Sequence, residues 1–144
     1  MTAEEATAWS LARLNMVFFH HYDRREYDEL LALFAPDALY EVHGRKLRGH
    51  AEIRDLLNAR PGPETTIRHL VTSQIFHTVG DGSAQGTVSL LAYGGPTPVG
   101  DGPALYPAAN AGQIVELNDH YRLDNAHWKI THRTAHTILA PAPA

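Results

Sequence analysis

The sequence predicts an α+β fold: a cone in which three N-terminal helices pack on a curved, mostly antiparallel sheet that encloses a pocket. Three observations carry this expectation. Apolar residues recur at helical spacing almost only before Pro61-Gly62-Pro63, long runs alternate with strand period after it, and tight-turn residues cut those runs into hairpins. At 144 residues the chain is expected to be one domain over 1–139, followed by a flexible tail over 140–144.

Thr2-Ala3-Glu4-Glu5 has the form of a capping box, and Leu11, Leu14, Phe18 and Tyr22 follow on one helical face, so a first helix is expected from about Ala3 to His21. Asp23-Arg24-Arg25-Glu26 repeats the capping pattern. Tyr27, Leu30, Leu31 and Phe34 then predict a short second helix that Pro36 stops. Ala38 to His43 alternates as a strand, Gly44 turns it, and Lys46-Leu47-Arg48 returns. Ile53, Leu56 and Leu57 mark a third helix over His50–Ala59. Thr66–Val79 and Ala84–Tyr93 form one expected hairpin around Gly80-Asp81-Gly82-Ser83. Gly112–Leu123 and His127–Leu139 form another. Between them, Gly94–Ala111 holds too many glycines and prolines for regular structure and reads as a long loop.

Composition removes several function classes. A net charge of −4 without a basic run argues against a nucleic-acid partner, because phosphate neutralisation needs clustered Lys and Arg. The absence of cysteine excludes disulfides, thiol nucleophiles and thiolate metal sites. Met1 to Glu5 lack the basic start and apolar run of a signal peptide, and no stretch is long enough to span a bilayer; a cytoplasmic protein without a membrane partner is expected.

Tyr22-Asp23-Arg24-Arg25-Glu26-Tyr27-Asp28, Phe34-Ala35-Pro36-Asp37-Ala38, Arg68-His69-Leu70-Val71-Thr72 and Trp128-Lys129-Ile130, in this order of elements, resemble the nuclear transport factor 2-like superfamily. Within it the chain is similar to the SnoaL-like group that contains scytalone dehydratase and the bile-acid dehydratases. The resemblance implies that Asp23 and His69 meet in the pocket, where the histidine moves protons during loss of water, and that Tyr22 stands beside them. The second pocket histidine of scytalone dehydratase falls near Gly94 and its first-strand tyrosine near Val42, while the first-helix tyrosine of the bile-acid enzymes falls on Phe18. The base of the more distant ketosteroid isomerase also falls on Val42, and its acidic hydrogen-bond donor matches Asp119.

The resemblance implies a cofactor-free lyase or isomerase acting on a small, apolar cyclic hydroxy-carbonyl compound, as a homodimer or homotrimer. The contrasting reading is a non-catalytic binding or assembly module like the β-subunits of ring-hydroxylating dioxygenases. A neutral imidazole beside a carboxylate suits proton abstraction near neutral pH. Strand alternation turns Ile67, His69 and Val71 to the pocket and Arg68, Leu70 and Thr72 away. Asp119 and Tyr121 share one parity and, with Tyr40 and Tyr93, are candidates to hydrogen-bond a ligand oxygen. Asp23 keeps two readings: N-cap of the second helix, with Tyr22 and Tyr27 as its apolar staple, or partner of His69. No metal site is expected from the ten histidines. His20 and His21 leave a helix in different directions, and His132 and His136 lie about 13 Å apart along a strand.

Overall fold

The computed structural model describes residues 1–107 and 112–143. Its elements run α1 (Ala3–Arg24), α2 (Tyr27–Leu31), β1 (Phe34–Val42), β2 (Arg45–Arg48), α3 (Gly49–Asn58), β3 (Thr65–Thr78), β4 (Ser83–Pro96), β5 (Gln113–Asp124) and β6 (His127–Leu139). One curved, open sheet has the order β2-β1-β6-β5-β4-β3, and every neighbouring pair is antiparallel except β1 with β6. The helices cover its concave side. Leu11, Phe18, Leu30, Phe34, Ile53, Leu57, Val88, Leu117 and Ile130 form the centre of the core between the two layers.

The start of α1 follows its sequence: Thr2 accepts from the Glu5 N–H, and the Glu5 carboxylate accepts from the Thr2 N–H, which completes the capping box. Its end does not. The helix runs a turn past His21 to Arg24 and stops where Arg25 takes the left-handed conformation at φ 58°. Asp23 therefore lies inside α1, and the N-cap of α2 is Glu26, whose side chain makes no capping bond. The second capping pattern fails because Asp23 and Glu26 have other partners, His69 and His21.

The expected second helix is also too long. Helix α2 ends at Leu31, and Phe34 opens β1, because β6 captures the preceding carbonyl: the Ile130 N–H donates to Leu33 O at 2.9 Å. Pro36 sits in a β1 irregularity between Phe34 and Leu39, where its missing N–H is tolerated. Strand β4 extends through Gly94 and Gly95 to Pro96. The following segment is irregular to 107, and residues 108–111 of the expected loop, like residue 144 of the expected tail, lie outside the described residues.

Gly86 on β4 faces Phe76 on β3, and a Cβ there would come within 2.3 Å of the Phe76 ring, which packs edge-on against Tyr121 at 5.9 Å. Gly86→Val should displace that ring and lower unfolding free energy by about 1–3 kcal/mol in urea titrations. A variant as stable as the parent would show that Phe76 relaxes without loss.

Candidate active site

Asp23, 5% exposed in its side chain, sits in the last turn of α1 and faces the edge strand β3. Its Oδ2 accepts the backbone N–H of His69 at 2.9 Å, and its Oδ1 accepts from His69 Nδ1 at 2.5 Å. A carboxylate only accepts, so Nδ1 carries a ring proton, and the neutral tautomer with that proton has its lone pair on Nε2. That nitrogen has no hydrogen bond among the described residues. The ring is fixed between Phe19 and Tyr22, at centroid distances of 5.2 and 5.0 Å. Arg25 holds the strand at this distance from the helix. Its guanidinium donates to the carbonyls of Pro61, Gly62 and Thr65, the chain entering β3.

His69 opens onto a cavity of about 350 Å³ also lined by Phe19, Tyr22, Tyr40, Val42, Leu90, Ala92, Val115, Leu117 and Ala135, with His43, Gly44, Gln113, His136 and Thr137 completing the wall. Among the described residues, no Asp, Glu, Lys or Arg lines it. Tyr22 and Tyr40 bring hydroxyls that have no hydrogen bond among the described residues. Burial raises both phenols above their ordinary range, so they stay protonated donors at neutral pH; Arg60 and Arg133 oppose this at both. The Arg60 guanidinium lies 3.7 Å over the Tyr22 ring and donates to Tyr22 O and the Tyr27 hydroxyl at 2.9 and 2.8 Å, which fixes the angle of Tyr22.

Of the residues expected at the site, Asp23, His69, Tyr22, Tyr40 and Val42 come together here. Four expected ligand contacts do not line the cavity. Phe18 is core, stacked behind Tyr22 at 5.8 Å. Tyr93 pairs with Arg68 on the other face of the sheet and stacks on Tyr106 at 5.4 Å. Asp119 and Tyr121 point inward but are consumed below the cavity. Arg133 donates to both Asp119 oxygens at 2.8 Å, and the Tyr121 hydroxyl donates to Asp119 Oδ2 at 2.5 Å. Asn15 completes this network by donating to Tyr121 Oη at 3.0 Å and accepting from Arg133 Nη2.

Arg133 was not expected at all. It is fully buried, Asp119 stands opposite it in the β5–β6 register, and its guanidinium carbon lies 4.5 Å over the Phe18 ring. Burial works against its charge, yet the carboxylate of Asp119, as charge and as acceptor, holds it firmly protonated. Its Nη1 is sealed from solvent without a partner among the described residues. The usable signal was pairing: an inward Asp on one strand needs an inward cation on its neighbour.

The histidines divide by location. His50 bonds Phe34 O at 3.0 Å, and His132 bonds Glu41 at 2.6 Å and stacks on His120. His20 and His21, expected to diverge, both turn toward Glu26 and form, among the described residues, one group of three donors able to approach a single ion.

Residues 6–134 match the family model described as the SnoaL-like domain. No curated protein sequence gives a significant match. Among solved structures, the hexachlorocyclohexane dehydrochlorinase LinA-type3 of Novosphingobium barchaimii superposes with a TM-score of 0.76 at 18% identity, covering 96% of this chain and 91% of its own. A protein provisionally titled scytalone dehydratase from Novosphingobium aromaticivorans gives 0.75 at 17%, covering 96% and 89%. ActVI-ORFA of Streptomyces coelicolor gives 0.76 at 13%, covering 92% and 98%. At these identities the likeness establishes a shared fold.

Asp119→Ala would strand the buried Arg133 charge and remove the acceptor of Tyr121, and should cost about 3–5 kcal/mol in denaturant unfolding. Replacing the pair together, Asp119→Leu with Arg133→Met, should cost less than Asp119→Ala alone. If the double variant is the less stable of the two, the ion pair contributes more than its desolvation costs.

Proposed function

The chain belongs to the SnoaL-like domain family of the nuclear transport factor 2-like superfamily, and we propose that it is a cofactor-free lyase or isomerase acting on a small, uncharged cyclic hydroxy-carbonyl compound. The single observation that carries this reading is the His69 imidazole, bonded through Nδ1 to Asp23 and presenting a bare Nε2 to a cavity of mixed apolar and neutral polar lining.

In the proposed reaction Nε2 takes a proton from the carbon next to the substrate carbonyl. The imidazolium that forms is stabilised by the Asp23 carboxylate, which keeps the ring in one tautomer. Negative charge gathers on the carbonyl oxygen, where Tyr22 and Tyr40 are neutral phenols suited to donate hydrogen bonds without desolvating a charge of their own. Arg60 on the outer face of Tyr22 and Arg133 below Tyr40 draw electron density away from those hydroxyls and strengthen them as donors. The proton then leaves His69 for the β-hydroxyl, which departs as water, or for a different carbon, which isomerises the ring. Either outcome returns His69 to its neutral form. The name of the dehydrochlorinase relative denotes the same class of step, loss of HX across a carbon–carbon bond, with chloride as leaving group.

A cavity wall without carboxylate, ammonium or guanidinium groups among the described residues supports an uncharged substrate, since a buried ionised group without a partner is strongly disfavoured. A volume of about 350 Å³ suits a compound of one to three rings.

With cyclic β-hydroxy ketones as substrates and enone absorbance as the readout, His69→Ala is expected to lower kcat by about 10²–10⁴-fold while far-UV circular dichroism is unchanged. Turnover equal to the parent's on a substrate the parent accepts would sink the assignment. Tyr22→Phe should lower kcat by about 100-fold with little change in KM, because its hydroxyl acts on charge that develops only in the transition state. Arg60→Met should reproduce part of that loss in the parent and none of it in the Tyr22→Phe background; equal effects in both backgrounds would separate Arg60 from Tyr22.

A further inference from the structure

The turn that joins α1 to α2 carries a second cluster of chemistry-bearing side chains outside the cavity. His21 Nδ1 lies 3.1 Å from Glu26 Oε1, His20 Nε2 lies 3.9 Å from the same oxygen, and donor atoms of all three residues lie within 4.8 Å of one another. We infer that His20, His21 and Glu26 form a binding site for one divalent first-row transition cation, of which Zn²⁺ is the representative.

The donors are of the right kind. Two imidazoles and one carboxylate suit Zn²⁺, Co²⁺, Ni²⁺ or Cu²⁺ and are a poor set for Ca²⁺ or Mg²⁺, which take oxygen. The spacing is close to what an ion requires. Bonds of about 2.0 Å in a tetrahedron separate ligand atoms by about 3.3 Å, so the His21–Glu26 contact already fits and the other separations must shrink by an ångström or so. The side chains that have to move are free to do so: His20 is 55% exposed and Glu26 42%. In the absence of an ion the His21–Glu26 hydrogen bond alone satisfies the pair, and metal would replace its proton.

The surroundings favour a cation. The group sits at the C-terminal end of the 22-residue α1, where the helix dipole is negative. Of the neighbouring arginines, Arg25 is engaged by three carbonyls at the start of β3, while Arg24 donates to His20 O at 3.2 Å. The backbone fixes the approach. The Glu26 N–H donates to His21 O at 3.0 Å across the left-handed Arg25, folding Glu26 back onto the helix it has just left. An ion held there would bridge the last turn of α1 to the N-cap residue of α2. Its ligands are separate from every group assigned to proton transfer, so the site stands whether or not the lyase reading does.

Untagged protein is to be titrated with Zn²⁺ against a chromophoric chelator and with Co²⁺ followed by visible absorption. One ion per chain is expected with a Kd below about 100 µM, weakened by about tenfold or more in both His20→Ala and Glu26→Gln and unaltered in His120→Ala, which removes a ring from the other histidine pair. Circular dichroism identifies any loss caused by unfolding; a variant that fails it is replaced by His20→Gln or Glu26→Ala. Weaker binding by the parent, or an affinity that the site substitutions leave unchanged, overturns the inference.

Discussion

The contact on which the rest of the structure turns is the double hydrogen bond from His69 to Asp23, backbone N–H to one carboxylate oxygen and imidazole to the other. Strand β3 is the sheet's edge, and an edge amide without a partner would be left to solvent or to another chain. Asp23 satisfies it from the end of α1 and in the same act sets the height, rotation and tautomer of the ring. Arg25 secures the same junction through three carbonyls upstream, those of Pro61, Gly62 and Thr65. Helix and sheet are therefore tied at the wall of the cavity.

Beneath that junction a second polar assembly is buried more deeply. Arg133, Asp119, Tyr121 and Asn15 satisfy one another almost completely, at a site where each alone would be costly. The network links α1 to β5 and β6 and places a permanent positive charge behind Tyr40. An apolar substitute would fill the space but would lose that field. The polar interior thus serves two ends: one pair faces the cavity and is left unsaturated at Nε2, while the other is closed and faces no ligand. Asp119, which by strand parity alone belongs to either, is assigned by its partner.

The α1–α2 turn shows how a short irregular segment concentrates function. A single left-handed residue, Arg25, ends one helix, redirects Glu26 toward His20 and His21, and releases its own side chain to hold β3. A non-glycine residue in that conformation costs of order 1 kcal/mol, and the three carbonyl contacts of its guanidinium offset the cost. Arginine is useful here because its fork reaches several acceptors at once.

The sequence by itself determined the order of elements, the pairing of β3 with β4 and β5 with β6, the face on which His69 lies, and the family. Those follow from local periodicity and turn chemistry, which neighbouring residues encode among themselves. Tertiary structure decided the rest. Where α1 stops depends on Asp23 finding His69 46 residues away rather than the adjacent amides of a new helix. Phe34 becomes strand because β6, about 100 residues later, supplies its partner. Arg133 gave no motif, since its role exists only opposite Asp119 in the sheet. His20 and His21 read as divergent until the turn at Arg25 folded Glu26 onto them. For Asp23 and for the chain entering Phe34 a local partner competed with a distant one, and packing of helix against sheet made the distant one the stronger.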